Sequence, residues 1–224
     1  MRKIIILLIA FCPFSGKVRA WLYGRMPDYT IEKNVHIGFG TVINCAKLRI
    51  GKDSVLGRLV RVKNIDSFVV GKNSLVNSSC MFCGPVPSLK SFQRDVTIGD
   101  FANIQCGHYF DVVAPIEIKD YVTLAGKETQ IFTHSFDIEG NRLDGSVEIG
   151  NHVYIGSRCI INLGVAIADK VVLQAGTVLN KSLEESGVYT SNILEKRGNI
   201  HSYSEMTDYH KDLGQYKCYT KKAE

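Results

Sequence analysis

A large apolar residue returns at every sixth position along most of this chain, and that period constrains the fold more than any other feature of the 224 residues. Frames of six give Ile31, Ile37 and Ile43; Ile50, Leu56 and Val62; Val70, Val76 and Phe82; then Ile98, Ile104 and Phe110. The pattern resumes at Ile118 and Leu124, and runs unbroken from Ile149 through Ile155, Ile161, Ile167 and Leu173 to Leu179. Two positions before most of these stands a small or branched residue, among them Val35, Thr41, Ser54, Ser74, Cys80, Ala102, Val122, Val153 and Thr177. Alternate side chains of a strand share a face, so both slots point the same way. Unbroken alternation would demand a third inward residue in every six, and that slot is not regularly apolar. The chain therefore turns a corner in each hexad, and glycines 38, 51, 57, 71, 99, 150 and 156 are expected to ease the turn. Short strands and corners repeating at one spacing make a solenoid, whose coils bury their faces on one another. A helical reading fails, because six matches neither 3.6 nor 3.5.

With 45% hydrophobic residues, the chain is long enough for one substantial domain and short for two. The formal net charge of +5 is local: Arg2, Lys3, Lys17, Arg19 and Arg25 occupy the first 25 residues without an acid, leaving 22 basic against 22 acidic residues elsewhere. Outside the N-terminus no basic cluster is spaced with aromatics, so nucleic-acid binding is not expected, and no dinucleotide or P-loop motif occurs. The apolar run Ile4 to Phe11 is too short to span a bilayer. Two readings of residues 1–26 follow. One is a helix capping the open first coil, as solenoid ends require. The other is an amphipathic segment on an anionic inner membrane surface, with Trp21 and Tyr23 near the headgroups. Seven cysteines are scattered, and Cys80 with Cys83 makes one CxxC lacking a second pair or a histidine cluster, so no metal is expected and a reducing compartment is.

The stretch Ile155-Gly156-Ser157-Arg158-Cys159-Ile160-Ile161-Asn162-Leu163-Gly164-Val165-Ala166-Ile167 resembles the hexapeptide-repeat acyltransferases. The resemblance covers residues 31–190 and implies an all-β solenoid, a left-handed parallel β-helix of triangular section with three hexads per coil. An N-terminal helical segment over 1–30 and a C-terminal tail over 191–224 complete the expected organisation.

Solenoids place function where coils are interrupted. Two interruptions stand out, 84–95 with its two prolines and 134–146. With Ile131 facing inward, Thr133 faces in and His134 out. The stretch Gln130-Ile131-Phe132-Thr133-His134-Ser135-Phe136 resembles the place where acetyltransferases of the family carry their catalytic histidine, which makes His134 a general base by that resemblance. Imidazole, with an ordinary pKa near 6.5, can take the proton of a sugar hydroxyl as it attacks a thioester. In maltose- and galactoside-type relatives a polar amide and a carboxylate from the preceding region meet the acceptor. Gln105 and Asp111 are the nearest matches here, His108 lies among them, and Asp137 is a rival orienter of His134.

The resemblance also implies acetyl-CoA as co-substrate, held between subunits of a homotrimer along the coils after the catalytic loop. Gly156, Ser157, Ala175 and Gly176 would face the extended pantetheine, and Lys181 and Lys196 the phosphates. The expected activity is an O-acetyltransferase acting on a sugar hydroxyl in bacterial surface-polysaccharide assembly, on the cytoplasmic side, with peripheral membrane contact through residues 1–26. Two alternatives are an N-acetyltransferase for a nucleotide-linked amino sugar and a non-catalytic or metal-binding solenoid.

Overall fold

In the computed structural model, which describes residues 2–86 and 93–191, the hexads become three columns of parallel strands, and the chain winds as a left-handed parallel β-helix. Register is set by the repeat itself. On one face Ile50 pairs with Val70, Val70 with Ile98, Ile98 with Ile118, and Ile118 with Ile149. A second face stacks Ile37, Leu56, Val76, Ile104, Leu124, Ile155 and Leu173. A third stacks Ile43, Val62, Phe82, Phe110, Ile131, Ile161 and Leu179. Slipping any strand by one residue would turn its aliphatic out, which is why the register holds. All three columns are buried, with only Ile31 at the open end partly exposed.

The small slots are buried too, and their hydroxyls explain why Ser and Thr are tolerated there. Ser54 Oγ donates to the Gly71 carbonyl at 2.6 Å, and Ser74 Oγ donates to the Gly99 carbonyl at 2.8 Å while accepting from the Ala102 amide. Each hydroxyl thus ties one coil to the next, and no buried polar group is left unpaired by it. Among the bulky members, the Phe82 and Phe110 rings stack at 4.2 Å and Phe68 meets Phe82 edge-on at 4.9 Å.

The glycines serve a different purpose from the one expected. The left-handed corner positions are mostly filled by other residues, such as Asn73, Phe101, Tyr121 and His152, whereas Gly51 and Gly156 lie outside that region. A Cβ on Gly51 would stand 2.7 Å from the Gly71 carbonyl carbon, and one on Gly156 2.6 Å from the Ala175 amide nitrogen. These glycines let successive coils approach; they do not supply the turn.

Before the first coil, α1 (Arg2–Ala10) and α2 (Gly16–Tyr23) fold against its open end. Ile6, Ile9, Ala10 and Tyr23 are buried there, and Tyr23 Oη donates to the Thr41 carbonyl at 2.8 Å. Arg19, one of the five N-terminal basic residues, is buried and donates to the carbonyls of Ile37, Cys12 and Phe14. On the opposite side of these helices Ile4, Leu8, Phe14 and Trp21 are exposed. No helix among the described residues is long and apolar enough to cross a membrane.

Candidate active site

The coil interrupted by residues 134–146 carries the only antiparallel pairing among the described residues: His134–Phe136 with Arg142–Asp144, His134 opposite Asp144. Immediately before it, Gln130–Phe132 closes the third face, paired on Tyr109–Asp111 of the preceding coil with Asp111 opposite Phe132. His134 emerges at that edge. Its side chain is 25% exposed, that of Asp111 10%, and Nδ1 of the imidazole meets Asp111 Oδ2 at 2.5 Å.

Thr133 holds this pair, a role that sequence reasoning did not give it. Thr133 is completely buried, its Oγ1 donates to the Asp111 carbonyl at 2.7 Å, and the same oxygen accepts from the amides of Val113 and Ala114. The backbone from Asp111 to Ala114 is thereby fixed to the residue next to the histidine. Only its inward parity after Ile131 hinted at this. With Nδ1 committed to a carboxylate, the imidazole's basic lone pair falls on Nε2. Around the pair stand Phe136, whose ring meets His134 edge-on at 5.3 Å, and Tyr109 and Phe132, whose rings are 6.2 Å apart. Burial, then the Asp111 charge, raises the Tyr109 phenol above its ordinary range.

Three expectations are corrected. His108 lies two positions before Phe110, in the inward small slot, and is buried; the Thr129 amide donates to its Nδ1 at 3.1 Å and burial pushes its pKa down. It is an interior residue and neither binds an acceptor nor orients His134. Asp137 closes its own turn, accepting from the amides of Glu139 and Asn141 and from the Asn141 side chain, which holds its carboxyl below the usual range. The carboxylate bonded to His134 is that of Asp111. Gln105 follows the strand Asn103–Ile104 on the second face, bonded to Asn77 and Asn103, so all of Tyr109–Asp111 separates it from the Asp111–His134 end.

The expected donor-side residues divide between two corners. Gly156 and Ser157 follow the strand Tyr154–Ile155, and Ala175 and Gly176 lie one coil further on the same corner, where the Gly176 amide donates to the Ser157 carbonyl at 2.9 Å. Lys181 follows Val178–Leu179 and stands exposed at the third-face edge that His134 also occupies. Lys196 lies outside the described residues. No group of three or more His, Cys, Asp or Glu residues able to hold a metal occurs among the described residues.

Residues 146–181 match the family model described as the hexapeptide repeat of succinyl-transferase. Those 36 residues carry hexapeptide repeats of the kind that this family model describes. It is 33% identical over 97 residues to a UDP-3-O-acylglucosamine N-acyltransferase of Delftia acidovorans; the match takes in 43% of this chain and 29% of that protein, so it spans less than a third of the relative. Among solved structures, AntD, an N-acyltransferase from Bacillus cereus in complex with dTDP and coenzyme A, is 18% identical with a TM-score of 0.49, covering 75% of this chain and 91% of its own. A hexapeptide-repeat acetyltransferase of Vibrio cholerae complexed with acetyl coenzyme A is 19% identical with a TM-score of 0.49, covering 85% and 82%.

Proposed function

We propose that this chain is an acetyl-CoA-dependent O-acetyltransferase acting on a sugar hydroxyl in surface-polysaccharide assembly, on the cytoplasmic side of the membrane. The observation that carries the reading is the His134–Asp111 pair: a carboxylate on Nδ1 leaves Nε2 to act as a base at the edge of the third face. In the reaction the sugar oxygen attacks the thioester carbonyl as Nε2 takes the hydroxyl proton. The C–S bond then breaks, and the departing thiolate takes that proton back from the imidazolium. No acyl-enzyme forms, and Asp111 stabilises the transient positive charge.

Donor binding is assigned to the coils after the hairpin, with Gly156, Ser157, Ala175 and Gly176 along pantetheine and Lys181 near the phosphates. The working unit is a homotrimer. Outward slots on the third face from the site onward are uncharged, with Phe132, Ile160 and Val178 beside Gln130, whereas those of the first face include Glu117 and Glu148, so the third face is the side suited to a second copy. Peripheral membrane contact falls to the outer side of the cap.

The match to a curated N-acyltransferase favours a second reading, transfer to a nucleotide-linked amino sugar. Assaying the purified protein with acetyl-CoA against hydroxyl sugars and amino sugars separates the two. Ester products support the proposal, and products on amines alone overturn it.

A further inference from the structure

A groove of about 560 Å³ runs along the third face between α1 and the first three coils, outside the site described above. Its volume is that of a small-molecule pocket. Its walls combine two chemistries. Leu7, Phe11 and Met81 make it apolar, while Lys3, Arg61 and Lys63 are exposed cations on its lining, which contains no acid. Such a lining suits a ligand that is hydrocarbon at one part and anionic at another.

The register shows where the groove leads. Lys63 pairs with Cys83, and Cys83 pairs with Asp111, all in outward slots of one column. Cys83 is itself part of the groove lining, so the groove ends on the residue beside the carboxylate that holds His134. Electrostatics agree with this adjacency, since the Cys83 thiol, raised chiefly by burial, responds to Lys63 and Arg61 on one side and to Asp111 on the other. Two strand spacings separate the Arg61–Lys63 strand from the Asp111 strand, about 10 Å. That gap accommodates one sugar ring joined to a phosphate.

We infer that this groove binds the acceptor as an amphiphile in which a sugar is linked through phosphate to a hydrocarbon chain. The chain lies against α1, the phosphate meets Arg61 and Lys63, and the sugar reaches His134. The exposed outer residues of the same helix, Ile4 and Leu8, then rest in the bilayer from which the chain is drawn. This inference deepens the proposed transferase reading and rests on it for the role of the sugar end; the groove's binding chemistry stands independently.

The test uses the full chain and decyl phosphate below its micellar concentration, with decyl maltoside and inorganic phosphate as probes carrying one half each, all by titration calorimetry. Decyl phosphate is expected to bind at least about tenfold tighter than either half-probe, and the exposed double variant R61Q/K63Q is expected to lose about tenfold of that affinity, in line with charge-assisted phosphate contacts. His134→Ala should bind decyl phosphate as the unaltered chain does. Equal binding of decyl maltoside, no binding of decyl phosphate, or affinity unmoved in R61Q/K63Q overturns the groove assignment. Separately, if decyl phosphate binds as expected but no ester forms from acetyl-CoA with any hydroxyl sugar supplied, the transferase reading falls and the groove assignment stands.

Discussion

Asp111→Asn isolates the charge of the orienting carboxylate at almost constant shape. At a charge separation of about 4 Å and an effective dielectric of about 20, the carboxylate stabilises an imidazolium by about 4 kcal/mol. The His134 side chain is 25% exposed, so solvent screening reduces this to about half. A loss of about 2 kcal/mol at the transition state corresponds to roughly a 30-fold fall in kcat. The Asn side chain can also turn its NH2 toward Nδ1, which would force the proton onto Nε2 and silence the base in that fraction of molecules. Nitrogen-15 spectra of labelled histidine read this directly and need no acceptor: the unaltered chain should show protonated Nδ1 and bare Nε2 at His134, and the variant a mixture. Turnover measured by release of free CoA should fall while KM for acetyl-CoA stays. An unchanged tautomer together with kcat within about threefold of the unaltered chain would refute the role given to Asp111.

His134→Ala, on the surface, should keep the melting temperature and lose about 10²- to 10⁴-fold in turnover, checked by the same CoA-release assay. Phe82→Ala removes the ring between Phe68 and Phe110 and should cost about 3–5 kcal/mol in denaturant unfolding. Burial raises the thiols of Cys45 and Cys80 from 9.0 to about 11, so the folded state keeps protons that the unfolded chain has lost; their stabilisation is complete below pH 9.0 and fades as pH rises to about 11, a decline that thermal melts across that window should show. Ile4→Ser with Leu8→Ser should leave the fold unchanged and lower sedimentation with anionic vesicles, whereas undiminished sedimentation would remove the membrane role of the cap.

The fold was legible because each aliphatic column is a local statement repeated at one spacing: reading Ile98, Ile104 and Phe110 requires nothing beyond the next six residues. The outward stance of His134 followed from the same parity. Choosing its partner did not, because Asp111 and Asp137 are both plausible until the coils are laid over one another and the register sets Asp111 opposite Phe132. His108 was legible and misread. It occupies the slot two before Phe110, where every comparable residue is buried, and the hexad rule alone assigns it to the interior. The glycine positions were found for the wrong reason, since contact between coils is a tertiary constraint that a turn-based reading of single residues does not contain. The groove beside α1 left no sequence signal, because Lys3, Arg61 and Met81 share a surface only once the helix has folded back along the first coils.

The in-register columns make the molecule a ruler. From Ile43, in the coil that α1 packs against, the third face advances through Val62, Phe82 and Phe110 to Ile131, three residues before His134. Four steps at the strand spacing set that length at about 19 Å. The offset between docking end and reactive nitrogen is therefore quantised: excising or duplicating one whole turn would change it in increments of about 5 Å without altering either end.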